Sequence, residues 1–395
     1  MFDAHFITNP YPMYSHLRTT APLHWTEAWR KGAWLVPRYD DVITVLHDTR
    51  LSSQRRLTAA FPSDIQPQLA LLETTTSRMM LFLDPPVHTR LRKLLHRAFS
   101  PQAVQRLGPR VQHLANTLLD RVAAHGEMEF LANFVHPLPV LVIAEMLGVP
   151  NEHQADFQRW SDDFIHFFGN PQATVETVLQ AQASLSALTN YFGMLLLERR
   201  RRPGEDLVSL LLQIDGDDQL TEAELLAQCA LLLMAGHETT RNLFGNGLLA
   251  FLQHPDQWAM LKQNPALMRS AVREVVRYNS PVQVAGRTAT ESFIWHGQQI
   301  EQGQSIIVLL GSANHDSTKF SQPEQLDITR NEAQPLSFGH GPHFCIGAIL
   351  AQLEAEIAFA AVVKRMPNLK LLDDTPYWCP NVSFRGLARL PLAWC

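Results

Sequence analysis

Phe338-Gly339-His340-Gly341-Pro342-His343-Phe344-Cys345-Ile346-Gly347 carries one cysteine in a glycine-rich loop. Downstream, Ile346, Leu350, Leu353, Ile357 and Ala360 recur at helical spacing, which predicts a helix over about 346–366 with that apolar stripe turned inward. Cys345 therefore stands at a helix N-terminus. There the free backbone N–H groups and the positive end of the helix dipole favour thiolate over thiol. Glycines at 339, 341 and 347 let the backbone turn sharply and come close to a flat partner. A thiolate of this kind beside Phe338 suits an axial haem ligand, where thiolate donation favours O–O cleavage. Two other readings stand beside it. One is a buried structural cysteine. The other is zinc, because His340, His343 and Cys345 are all zinc-ligand types, although no fourth ligand completes a tetrahedron.

The rest of the chain is compatible with a large enzyme. Its 395 residues, 46% hydrophobic and 18% charged, have a globular composition and can bury a core that encloses a ligand cavity. A net charge of −5 argues against nucleic acid as the main partner. The opening Met1-Phe2-Asp3-Ala4-His5 lacks the apolar stretch of a signal peptide, and no apolar run reaches membrane length. The four cysteines, Cys229, Cys345, Cys379 and Cys395, are too few and too scattered for a disulfide framework, so a reducing, cytoplasmic compartment is expected. No linker or repeat marks a boundary, so a single domain over 1–395 is expected.

The pattern is mostly helical, with strands gathered in small patches at 33–36 and 282–310 and an extended tail at 381–391: mainly α with small β-sheets, an α+β chain. Thr221-Glu222-Ala223-Glu224 has the form of a capping box. The helix it opens can run to about residue 254, where Pro255 stops it. Its middle, Leu231-Leu232-Leu233-Met234-Ala235-Gly236-His237-Glu238-Thr239-Thr240, breaks an apolar run with Gly, an acid and hydroxyls. Ala235 and Thr239 are i and i+4 and share a face. That face would let a planar cofactor approach next to a proton donor; a solvated polar face with an incidental Gly explains the same letters, and the helix alone leaves both open. Glu274 and Arg277 are i, i+3, the spacing of an ordinary surface ion pair. Asp84-Pro85-Pro86 precedes a basic helix on which His88 and Arg92 share a face.

The cysteine loop resembles the ligand loop of cytochrome P450 enzymes, with its aromatic residue, spaced glycines, basic residue, Cys and Gly. The resemblance runs nearly end to end and is strongest over 84–92 and 232–353. It implies the family's triangular, helical single domain enclosing haem b (iron protoporphyrin IX) on the Cys345 thiolate, with dioxygen as co-substrate. It implies that Ala235, Phe338 and Gly347 lie against the haem. Glu238 and Thr239 would be the acid–alcohol pair that delivers protons, and His88, Arg92, Arg287 and His343 would pair the propionates. Glu274 and Arg277 would form the structural Glu-x-x-Arg lock. Its third partner is left in doubt, because Gln325 stands where an Arg is usual and His315 departs from the pattern as well.

The implied reaction is insertion of one oxygen atom into a C–H bond or alkene of a medium-to-large apolar small molecule. No flavin or iron–sulfur segment is present, so electrons would come from a separate ferredoxin and ferredoxin reductase, docking near Lys93 and Arg97. Peroxide-driven oxygenation and non-catalytic haem binding are the alternatives, and both predict loss of the acid–alcohol pair. Segments 57–80, 164–174, 232–235, 281–285 and 382–384 are the expected cavity lining.

Overall fold

The computed structural model describes residues 2–29, 32–55, 57–168, 173–214, 216 and 219–394. Residues 169–172 of the expected cavity lining and Cys395 lie outside that set. The chain divides into two compact units. One comprises Met1–Leu51, Val104–Leu138 and Thr239–Cys395; the other comprises Ser52–Ala103 and Pro139–Glu238.

In the first unit, strands His24–Thr26, Ala33–Val36, Ser305–Leu309 and Val284–Ala289 lie side by side in that order. The contact between Ala33–Val36 and Ser305–Leu309 is parallel and its neighbours are antiparallel. The Ser305–Leu309 strand is apolar after Ser305 because both of its faces are covered from Ile306 on, as a central strand requires. Ile306 and Val308 join Val42, Val45 and Phe320 in one core, while Ile307 and Leu309 join Tyr14 and Leu35 in another. This sheet holds Arg287 opposite Ile306. The helix Met268–Tyr278 carries Glu274 and Arg277, and the loop that leads into the helix Ala348–Arg365 carries Phe338, His343, Cys345 and Gly347.

In the second unit, helices Gln154–Phe167 and Val175–Arg201 pack through aromatic rings, with Phe157 edge-on to both Tyr191 and Phe192. The basic helix is Val87–Leu95; it buries His88, Leu91, Leu94 and Leu95 and leaves Lys93 exposed. The turn that follows leaves Arg97 exposed.

The helix Glu222–Gln253 begins in the second unit and ends in the first. Its capping box forms as expected. Thr221 Oγ1 accepts the Glu224 N–H at 3.2 Å, and a Glu224 carboxylate oxygen accepts the Thr221 N–H at 2.9 Å. At 32 residues it spans about 48 Å at 1.5 Å per residue.

Candidate active site

The cysteine loop is built by two short turns, Leu336–Phe338 and Gly341–His343. Gly339 and Gly341 both take positive φ, 71° and 69°, which a side chain would resist. Gly341 also needs its missing Cβ for space, since one would meet the His47 ring at 3.0 Å. The Cys345 N–H donates to the Phe338 carbonyl at 2.8 Å, closing the loop, and the Phe338 ring lies 6.5 Å from that of Phe344. The Cys345 side chain is exposed, whereas Cys229 is buried and Cys379 half-buried.

Two expectations about the following helix are corrected. It starts at Ala348 with Gly347 as N-cap, so Cys345 precedes the cap by two residues. The buried residues are Ala348, Leu350, Glu354, Ala355, Ala358, Phe359, Ala361 and Val362, while Leu353 and Ile357 are half-buried and Ala360 is exposed. Small alanines admit close neighbours, so proximity selects the inward face here rather than side-chain bulk. The ring of Phe359 packs where a Cβ on Gly247 would stand, at 2.6 Å.

In the long helix, residues 231–234 are buried, Ala235 is exposed, His237 and Glu238 are buried, and Thr239 is half-buried. The reading of a solvated polar face is thereby overturned for His237, Glu238 and Thr240, which are at most 5% exposed. What opens instead is a narrow strip of small residues one turn long, from Ala235 to Thr239. Gly236 is not incidental, because a Cβ there would meet Ile143 at 2.8 Å. His237 Nδ1 lies 3.0 Å from the Ser161 hydroxyl.

Glu274 and Arg277 are not a surface pair. Both are nearly fully buried, and Arg277 grips the carboxylate with Nε and Nη2, each at 2.8 Å. The remaining guanidinium hydrogens go to the carbonyls of Asn314, Pro323 and Gln325. The third partner is Arg330, whose Nε donates to Glu274 Oε1 at 3.1 Å. Gln325 thus contributes its backbone. His315 instead meets the Tyr278 carbonyl and Glu324. Burial without competing charge would be costly for Glu274; two guanidiniums and the Asp327 N–H at 3.0 Å satisfy it. Arg330 escaped the sequence reading because it arrives from a coil 56 residues away, with no local spacing to mark it.

Among the cationic candidates, Arg287 is 9% exposed and donates to its neighbour's carbonyl, Gly286 O, at 2.9 Å. His88 is buried; Arg92 and His343 are half-buried. Among the described residues, no three His, Cys, Asp or Glu side chains are grouped so as to hold a metal ion.

A cysteine presented by a twice-turned glycine loop therefore coexists with a buried Glu–Arg–Arg lock and a long helix opened at an Ala–Thr strip. The family model for cytochrome P450 matches residues 126–367. The chain belongs to the cytochrome P450 family. It is 41% identical to cytochrome P450 CYP107DY1 of Priestia megaterium, covering 91% of this chain and 89% of that protein. It is 40% identical to the P450 monooxygenase PikC of Streptomyces venezuelae, covering 98% and 92%. A solved structure of P450BioI, in complex with acyl carrier protein ligated to hexadec-9Z-enoic acid, superposes with a TM-score of 0.93 at 36% identity over 99% of this chain and all of that one. The P450 fold and the oxygen-incorporating oxidoreductase class follow. No helix among the described residues is long and apolar enough to cross a membrane.

A P450 implies haem, and the residues present fit it. Among the described residues Cys345 is the exposed thiol, Arg287 and His343 of the same unit are cations suited to carboxylates, and the long helix is uncovered at Ala235 in an otherwise buried stretch. Each is what a thiolate-ligated, dicarboxylate macrocycle demands.

Proposed function

We propose that this P450 is a haem-thiolate monooxygenase in which Cys345 ligates the iron of haem b and Arg92, Arg287, His88 and His343 hold the propionates. The observation that carries the reading is the exposure of the Cys345 thiol at the end of a loop held by its own backbone bond to Phe338. When bound, the group supplies dioxygen activation and transfer of one oxygen atom to a C–H bond or alkene.

The chain's residues do the rest. Ala235 keeps its face of the helix low, so that a flat ring and a small diatomic can approach. Thr239 carries a hydroxyl one turn further on, which can donate and accept a hydrogen bond at once and so hold a proton for the outer oxygen atom. Glu238 is its neighbour in sequence and supplies that proton. The apolar residues around the strip exclude bulk water, which keeps proton delivery tied to these two side chains. The Glu274–Arg277–Arg330 lock holds the segment that leads into the cysteine loop.

The substrate class is a medium-to-large, mostly apolar small molecule, supported by the apolar expected lining and by the fatty acyl group named with the P450BioI structure. Electrons come from a separate ferredoxin and its reductase. Exposed Lys93 and Arg97 offer an acidic carrier a basic face. The deciding measurement is the spectrum of the reduced protein under carbon monoxide. A red-shifted, thiolate-type Soret band that disappears in Cys345→Ser supports the assignment; a band retained by that variant means another residue ligates iron.

A further inference from the structure

We propose that His47 and His340 form a two-imidazole site for a divalent transition-metal ion of the copper, nickel and zinc class. His47 ends the helix Tyr39–His47, and its side chain is exposed. His340 lies in the cysteine loop, half-buried. His47 Nε2 and His340 Nδ1 are 2.7 Å apart, with the ring planes inclined at 59°. Imidazole nitrogens are preferred ligands for these ions.

The geometry is near that of a chelate. Two nitrogens each at 2.0–2.1 Å from an ion, at a right angle, stand about 2.9 Å apart. The pair must therefore widen by a few tenths of an ångström, and each ring must turn so that its nitrogen, now aimed at the other ring, points at the ion. Without metal, one ring donates a proton to the other. On binding, that proton is lost to solvent while the donor ring takes one up at its other nitrogen, so both rings stay neutral with no net proton release; both facing lone pairs then turn to the ion, and water fills the remaining positions.

Two features favour a cation at this place. The C-terminal end of a helix carries partial negative charge, and His47 is the last residue of its helix. Gly341, with φ of 69° and no Cβ, lets the loop sit directly on the helix end, where a side chain would meet both the His47 ring and the Leu46 carbonyl. Packing thus fixes the separation of the two rings. The site does not share His343 or Cys345, and it stands whether or not those two serve haem.

With 17 histidines in the chain, the test is differential. Untagged holoprotein is dialysed against Ni(II), and bound nickel is counted for the wild type, His47→Gln, His340→Gln and the exposed-histidine control His113→Gln. One equivalent should bind at least tenfold more weakly in each of the first two variants and unchanged in the control. In the unmodified protein, Ni(II) should also protect His47 and His340 together from diethylpyrocarbonate labelling, read by mass spectrometry. Nickel isotherms identical across all four proteins, or labelling of both residues indifferent to Ni(II), would show the pair to be a hydrogen-bonded clip and overturn the proposal.

Discussion

Arg330 places its Nε 3.1 Å from Oε1 of Glu274. The carboxylate is 3% exposed and the Arg330 side chain 7%, so the pair is screened little and the loss of one partner leaves charge buried. Arg330→Leu should therefore destabilise the protein by about 2 kcal/mol, since Arg277 still pairs the carboxylate, and lower the fraction that binds haem. Thermal denaturation of the holoprotein checks the first and the carbon monoxide spectrum the second. Gln325→Arg in that background should not restore either, because Gln325 serves through its carbonyl.

The proton assignment turns on the coupling ratio, product formed per NAD(P)H consumed. Thr239→Ala should retain the haem spectrum and substrate binding, yet lower that ratio several-fold as hydrogen peroxide rises. Glu238→Gln should slow the whole cycle and enlarge the solvent isotope effect. A wild-type ratio in Thr239→Ala sinks the assignment and leaves both residues as parts of the helix's packing.

Cofactor retention tests the propionate partners. A hydrogen bond to a charged group contributes about 1.5–3 kcal/mol, so Arg287→Leu and Arg92→Leu should each release haem to an acceptor protein at least about tenfold faster. Unchanged release in both variants would assign these guanidiniums to the protein's own packing.

Electron supply should depend on a second protein. The isolated chain with NAD(P)H should turn over near zero and respond to added ferredoxin and reductase. Reversing charge at Lys93 or Arg97 should weaken that response, most at low ionic strength, where screening is least. Robust turnover by the chain alone excludes the partner.

Acid stability has a nameable contributor. His136 is largely desolvated beside Arg241, which pushes its pKa down to about 4. The folded chain keeps it neutral while the unfolded chain takes a proton near pH 6.5. Stability should therefore fall as pH drops from about 6.5 towards 4 and level off below. His136→Leu should flatten that limb by about 2 kcal/mol, read from urea unfolding at pH 7 and pH 4.5.

The parts legible in the sequence were those with local periodicity or local spacing. The capping box at Thr221, the long helix, the strand Ala33–Val36 and the cysteine loop all declare themselves within a few residues. The parts that escaped depend on tertiary reach. Arg330 finds Glu274 from a coil, and the spacing of Glu274 and Arg277 alone offers a surface pair, so their role as a buried lock was legible only through the family resemblance. The inward face of Ala348–Arg365 was misread because its alanines, chosen for nearness, carry less apolar signal than Leu353 and Ile357. His47 and His340 are 293 residues apart, and neither has a neighbour in sequence that points to the other.

The helix Glu222–Gln253 belongs in part to each compact unit, and this bears on how such a chain can change its length over generations. Each added or lost residue turns everything beyond it by about 100°. A single-codon insertion before Ala235 would swing either the capping end or the Ala–Thr strip out of its packing unless a local π-bulge absorbed the extra residue at the cost of the regular hydrogen-bond ladder. Length change is thus least disruptive outside the helix, as at the turn around His254, while the helix itself varies most easily by exchange of one side chain for another.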